Sequence, residues 1–500
     1  MKKNIALLCL MFVVIQASAQ FNLRGKILNY TGKENLVVNI PLVYGFHKEN
    51  SISIPVAKNG TFNITLPTET QNFVSLIFQR QFYTLLITRN KNLTASINEN
   101  NKNLELLSGT ALLENKLLQK INIMENPAFM EEQAAHLYGG LNFTELNAKL
   151  IQPYLAKRDE KIDIITASKI SLKNKKLIIS EVKYLAYNYL NDFARTQLNN
   201  KPAIDSMIIN LFDNSIIKPE VFPAGLQYYS FADNYLRYLE TKAFLKIKKD
   251  NIKPTEPIPY YGISLDSANV VVKKYGKPYW RWVGSTKNFP EPVTEQYTYQ
   301  QIINLYYDKD LRQIAALSEV FKKRFPQSKF NQEIDQKVNS LRQMLAQNES
   351  NTDIVVLKDY DKIQSVYDVI AKYKGKVVYL DVWGTWCGPC KEELKFMPQL
   401  KSAFTNKDVI FLYLDMDEED RDAIWKEFIK VNGLTGVHFR KNRQTIAPLW
   451  KELLADNQDK AEYYPQYFIF DKEGKVAVSK ALRPSDKEAL YQQINSVLVH

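Results

Sequence analysis

The residues best suited to chemistry are two cysteines three positions apart, Cys387 and Cys390, in the run Trp386-Cys387-Gly388-Pro389-Cys390. The chain has three cysteines, and the third, Cys9, lies in an apolar N-terminal run that reads as a removable leader. An exported protein meets an oxidising compartment, where stray thiols pair. A C-x-x-C pair closes too small a loop to staple a fold, so it is placed for redox chemistry. A zinc half-site is the other use of this spacing. It would need two more soft ligands, and beyond the pair only His47, His136, His438 and His500 remain. No metal or cofactor is therefore expected.

The pair follows an apolar strand and opens a helix, where unpaired N–H groups and the helix dipole favour a thiolate. Cys387 is expected to be the attacking, more exposed sulfur with a lowered pKa. Cys390, one turn in and more buried, is expected to resolve the mixed disulfide. Pro389 suits the first turn, where no hydrogen bond is lost. Asp381, near the end of the strand, reads either as a solvated strand-end carboxylate or as a desolvated one with a raised pKa suited to proton transfer.

The surrounding elements alternate. An apolar strand spans 376–383, a helix 392–404, a strand 409–414 and a helix 420–431. Strands at 467–470 and 476–479 join at Asp471-Lys472-Glu473-Gly474, and a helix at 486–498 closes the chain. This predicts a parallel β-α-β unit, then a hairpin and a helix. Residues 347–353 are polar and unpatterned, a linker, and 354–500 form one domain.

The run from Val377 to Cys390 resembles the active-site strand and loop of thioredoxin-fold proteins, and is most similar to the TlpA/ResA-like exported thiol-disulfide oxidoreductases. The resemblance implies a redox disulfide between Cys387 and Cys390. It implies a cis-proline at Pro465 that helps bind substrate backbone beside Trp386, Gly388, Pro389 and Tyr464. It also implies a buried proton-handling carboxylate at Asp381 and a carboxylate near the disulfide at Glu393, a position that an ordinary surface helix glutamate would fill equally well. The segments 470–475 and Arg483-Pro484-Ser485 match the family's later turn and the approach to its last helix. Two departures stand out: Lys395 occupies the place of the usual helix proline, with Pro398 three residues later, and Tyr464 stands where smaller residues are usual. The helix kink is expected to be displaced. His438 reads as structural, and 440–463 as a variant connection.

Residues 20–107 carry short β-rich runs, with Asn59-Gly60 as a hairpin signal between two of them. They predict an N-terminal β-sandwich. Residues 108–346 follow helical spacing, as in Ile178, Val182, Leu185, Tyr189 and Phe193. The segment 254–292 interrupts that pattern, and its Pro278-Tyr279-Trp280-Arg281-Trp282 is either a stacking patch for sugar or peptide or core filling. The front resembles a β-rich domain of unknown function, followed by a helical region, that precedes this module in secreted proteins. The fold class is thus a multidomain chain: β-sandwich, mainly α-helical middle, and α/β thioredoxin-like end.

At 500 residues, 45% hydrophobic and 24% charged, the chain has the balance of several globular domains rather than of a disordered or collagen-like protein. Its net charge of +12 is spread along the chain, with no basic block to argue for nucleic acid. Residues 1–19 carry Lys2-Lys3, an apolar run at 5–15 and Ala17-Ser18-Ala19, the pattern of a signal cleaved near Ala19. The run falls short of the about 20 residues a membrane span needs. Cys9 lacks the preceding small residues of a lipid-attachment site. The resulting expectation is a periplasmic or cell-envelope reductase of protein disulfides, reduced in turn by a membrane thiol-electron carrier. The resemblance links such proteins to cytochrome c maturation and disulfide repair. A disulfide oxidase or isomerase using the same residues, and a secreted peptide- or glycan-binding scaffold, are the alternatives.

Overall fold

The computed structural model describes residues 20–131, 133–213, 215 and 225–499, so the expected leader lies outside the described residues. The chain divides into two compact units, Met1–Gln300 and Gln301–His500.

The first unit opens with eight strands: β1 (Gln20–Leu28), β2 (Leu36–Asn39), β3 (Ser51–Ile54), β4 (Thr61–Pro67), β5 (Gln71–Phe78), β6 (Gln81–Thr88), β7 (Asn92–Asn98) and β8 (Leu104–Ser108). They form two four-stranded sheets, ordered β4-β1-β7-β8 and β3-β2-β5-β6. Alternation explains the arrangement. Val74, Leu76 and Phe78 of β5 turn inward to a core shared with Leu23 and Leu93 of the other sheet, while Phe73 turns outward to the helices. The Asn59-Gly60 hairpin is corrected. β3 and β4 on its two sides belong to different sheets, and the turn closes only the Val56–Phe62 bridge. Gly60 is required there, with φ +81° and no room for a Cβ beside the Ile27 carbonyl.

Helices follow. Leu172–Thr196 is capped by Ser171, whose hydroxyl accepts from Asn174 N. It buries Ile178, Val182, Leu185 and Phe193 of the expected stripe and leaves Tyr189 half-buried. The segment 254–292 is itself mostly helical, in Leu265–Tyr275 and Lys277–Asn288. Trp280 stacks on Tyr261 at 4.1 Å inside the core, which settles that aromatic as packing.

The second unit is built on a six-stranded sheet of β9 (Ile354–Val356), β10 (Val377–Trp383), β11 (Val409–Asp415), β12 (Gly436–Arg440), β13 (Gln466–Phe470) and β14 (Val476–Val478), ordered β14-β13-β10-β11-β12-β9. β10 is buried along its whole length, parallel to β11 and antiparallel to β13, as its unbroken apolar run requires. Three expectations change. The helix 392–404 is two helices, Gly388–Leu394 and Met397–Ala403. Pro398 has no N–H to donate to the Leu394 carbonyl, so the helix breaks rather than kinks. The variant connection 440–463 holds the end of a strand, β12, and a helix, Ala447–Leu453. The boundary at 347–353 also moves. Helices Leu311–Arg324 and Asn331–Asn348 fall in the second unit, the latter lying along Asp422–Val431. Glu349 and Lys430 pair there at 2.6 Å.

Candidate active site

β10 ends at Trp383, and a short loop carries the chain into the helix Gly388–Leu394. Cys387 is that helix's N-cap, and its Sγ accepts from Cys390 N at 3.2 Å. Cys387 and Cys390 form a disulfide. Both sulfur-bearing residues are buried, Cys387 at 4% and Cys390 at 1% exposure, while Gly388 and Pro389 between them are exposed. Access is therefore along the outer rim of the C-G-P-C turn. Trp383 is buried with the two cysteines in one apolar cluster, and Trp386 stands half-exposed beside them.

The rim is aromatic. Trp386 Nε1 donates to the Met416 carbonyl at 3.3 Å, and its ring meets Tyr464 edge-on at 5.3 Å. Tyr464 is held in turn. Its hydroxyl accepts from Trp450 Nε1 at 3.1 Å and donates to Met416 Sδ. The Tyr464–Pro465 peptide bond is cis. The bulk of Tyr464 thus lies against Trp386, the exposed aromatic.

The strand register assembles a polar row, two of whose members, Tyr413 and Tyr467, share the buried cluster of the two cysteines. Tyr467 of β13, Asp381 of β10, Tyr413 of β11 and His438 of β12 are consecutive cross-strand partners, so all four project from one face. Asp381 is fully buried, and its Oδ1 has no hydrogen-bond partner among the described residues. Burial, together with the charge of Glu393, raises its pKa well above the carboxylate range, against the pull of Lys401. Glu393 lies on the active-site helix and is buried, accepting from Ser485 N and Ser485 Oγ, each at 2.9 Å. This ties the active-site helix to the segment before the last helix. His438 is fully buried, and its Nε2–H donates to the Leu434 carbonyl at 2.6 Å. Its ring stacks on Tyr413, and burial pulls its pKa down to about 3. It stays neutral, in a structural place.

Two groups escaped the sequence reading. Lys401, on the helix Met397–Ala403, lies over the rings of Phe411 and Tyr413 and donates to Thr435. Burial lowers its pKa to about 7 and the charge of Asp381 opposes that fall. In sequence it reads as an ordinary surface lysine. Asp417 follows β11 in the acidic run Asp415-Met416-Asp417-Glu418-Glu419-Asp420, which reads as a solvated stretch. It is fully buried instead. Its carboxylate accepts from Thr385 N and Thr385 Oγ1 at 2.9 Å each and pairs with Arg421 at 2.7 Å. Arg440 donates to its backbone carbonyl at 2.8 Å. Thr385 lies two residues before Cys387, so Asp417 fixes the loop that delivers the disulfide. No cluster of metal-ligating side chains occurs among the described residues.

Part of this chain is similar to known proteins. Residues 337–494 match the redoxin family. The thiol-disulfide oxidoreductase ResA of Bacillus anthracis is 35% identical over 118 residues, covering 23% of this chain and 61% of that protein. Thioredoxin-1 of Caenorhabditis elegans is 38% identical over 81 residues, covering 16% of this chain and 66% of its own. Among solved structures, the thioredoxin domain of a thiol-disulfide oxidoreductase from Bacteroides vulgatus shares 24% identity over 26% of this chain and 83% of its own, with a TM-score of 0.20. The chain thus spans between 37% and 65% of the length of the ResA proteins it is similar to. Its C-terminal region carries a redoxin domain with ResA-type homologues, behind a β-rich and helical front.

Proposed function

We propose that this redoxin-bearing chain is a thiol-disulfide oxidoreductase of the cell envelope that reduces protein disulfides through Cys387 and Cys390. The observation that carries the reading is a C-x-x-C disulfide at a helix N-terminus, following a strand whose Asp381 is fully buried with its Oδ1 unpartnered among the described residues. In the reduced protein the Cys387 thiolate attacks one sulfur of a substrate disulfide, and the other substrate sulfur leaves as a thiolate. In its ionised form Asp381, made a stronger base by burial, takes the proton from Cys390. The Cys390 thiolate then attacks Cys387 Sγ, the mixed disulfide breaks, and the second substrate thiolate takes up a proton. The substrate gains two electrons and the protein is left with the Cys387–Cys390 disulfide. A membrane thiol-electron carrier would return those two electrons. The front of the chain, read as a β-sandwich followed by helices, would present substrate to this site or hold a partner.

Gly-Pro between the cysteines is the pair found in reducing thioredoxins, which sit near about −270 mV against about −120 mV for strong oxidants. The aromatic rim of Trp386 and Tyr464 beside Pro465 offers an extended polypeptide a surface next to the sulfurs. Reduction of insulin disulfides by the wild type, with loss of that activity in Cys387→Ala, tests the reaction. Equal rates would discard it. The equilibrium potential of the pair tests its direction. A value near or below about −250 mV supports reduction, and one above about −180 mV makes the protein an oxidase or isomerase.

A further inference from the structure

The sheet β3-β2-β5-β6 turns its outer face toward the helices of the first unit, and the register divides that face in two. The row Phe73–Leu86 is covered, packed with Leu117, Ile121, Leu177 and Val182. The rows Ser75–Thr84 and Ile77–Phe82 run past that cover. A cavity of about 240 Å³ opens there, walled by Tyr44, Phe46, Phe73 and Phe82 and reaching Glu181 of the helix Leu172–Thr196. Its mouth is apolar and open. Phe46 is 53% exposed and Phe82 51%, and their rings meet edge-on at 5.7 Å. Tyr44 and Met124 add further exposed apolar surface. Apolar surface gathered round a cavity marks an interaction site, whereas scattered exposed side chains do not.

Glu181 is the chemical centre of the cavity. It is buried, its carboxyl accepts from the backbone N–H groups of Leu226 and Gln227, and burial pushes its pKa up to about 8. Among the described residues, no lysine, arginine or histidine lines the cavity. The bond from Gln227 N is long, 3.3 Å, and a carboxylate accepts several more. The cavity is smaller than the roughly 300–1,000 Å³ of sites for drug-sized ligands, which suits a single side chain.

We infer that this cavity receives a lysine side chain of a polypeptide partner. The aromatic walls would cover the four-carbon stem, and the ring faces attract the cation. The ammonium would meet Glu181, which ionises as the positive charge arrives. An anionic guest would meet a carboxyl with no cation beside it among the described residues. A purely apolar guest leaves that carboxyl without a new partner. Arginine needs a planar two-pronged acceptor, and here Glu181 already spends acceptor capacity on backbone N–H groups, so a compact charge is the better match. The site would give the front unit a partner-holding role that does not depend on disulfide exchange.

The test uses the full chain with Cys387→Ala and Cys390→Ala, so that failure of the redox reading cannot affect it. Calorimetric titration compares an acetyl-Gly-Lys-Gly-amide peptide with its norleucine counterpart, which keeps the stem and lacks the charge. The lysine peptide should bind at least about ten-fold more tightly, a difference worth about 1.4 kcal/mol. Glu181→Gln should erase that difference. Phe82→Ala, at an exposed position where folding is not at stake, should weaken both peptides. Equal binding of the two peptides, an unchanged preference in Glu181→Gln, or no heat from either peptide up to millimolar concentration would overturn the inference.

Discussion

The two units handle buried charge differently. In the second, the buried polar groups stand on neighbouring strands, so the register of β13, β10, β11 and β12 alone aligns Tyr467, Asp381, Tyr413 and His438. In the first, Glu181 comes from a helix and the aromatic walls from two strands and a loop more than ninety residues earlier in the chain. A site built by one sheet is fixed as rigidly as the sheet. A site built where a sheet meets helices depends on how far the helical cover extends. The proposed disulfide exchange draws on the first kind through Asp381, and the proposed recognition of a flexible side chain sits on the second.

The contrast can be broken at several points. The largest effect is expected from Cys390→Ala, which leaves Cys387 able to attack and unable to be released. Turnover should fall by more than about 100-fold, and mass spectrometry of unreduced samples should show substrate bound covalently through Cys387. Lysine-peptide binding by the first unit should be untouched. Next comes Asp381→Asn, which removes the proposed proton acceptor and should slow turnover by about 100-fold, within the usual range for a general base.

The same substitution has an opposite effect on stability, and the sign follows from linkage. In the unfolded chain Asp381 ionises near pH 3.9, whereas in the fold burial holds its proton to much higher pH. Between those values the folded state binds more protons, so the wild type loses stability as pH rises through that window. Asp381→Asn should therefore melt at a higher temperature than wild type at pH 7. The two should converge when the pH falls below about 3.9, where the carboxyl is protonated in both states. Convergence at high pH instead of low would refute the assignment.

A smaller change should follow Asp417→Ala. Thr385 would lose two hydrogen bonds, and Arg421, whose side chain is 36% exposed, would turn to water rather than remain a buried orphan. A loss of about 2 kcal/mol is expected by denaturant unfolding, with a shifted reduction potential because the loop before Cys387 loosens. An unchanged potential would show that the loop is held by other contacts. Trp386→Ala should have the least effect, a rise of several-fold in KM for a protein substrate with kcat nearly kept, since it removes rim contact and leaves the sulfurs in place.

Legibility in the sequence followed the same division. The strand, turn and helix around Trp386-Cys387-Gly388-Pro389-Cys390 could be read because one local stretch contains both the reactive pair and the elements that aim it. Asp381 could be placed because a carboxyl inside an apolar strand announces its own desolvation. Glu393 was ambiguous until Ser485, 92 residues away, supplied the bonds that bury it. Lys401 and Asp417 were not legible, for opposite reasons. The lysine hides its stem over rings contributed by another strand, and the aspartate sits in an acidic run whose neighbours are mostly solvated. The strand Gly436–Arg440 was missed because β9, its partner on one side, is three residues long and distant in sequence. Of the front, the β-rich runs and helical stripes could be read. The sharing of strands between two sheets could not, because Asn59-Gly60 signals a turn locally and says nothing of which sheet each arm joins.

The helices Leu311–Arg324 and Asn331–Asn348 carry a consequence for how this chain is inherited and dismantled. They precede the polar stretch that looks like a seam, yet they belong with the disulfide-bearing sheet. Asp308, just ahead of them, is close enough to the active-site helix to feel the charges of Lys391 and Lys395. Solubility of a peptide stretch and independence of the parts it joins are separate properties. A protease that cut at the polar stretch would nick this protein without parting it, and the two helices should keep amide protons as long as the strands do.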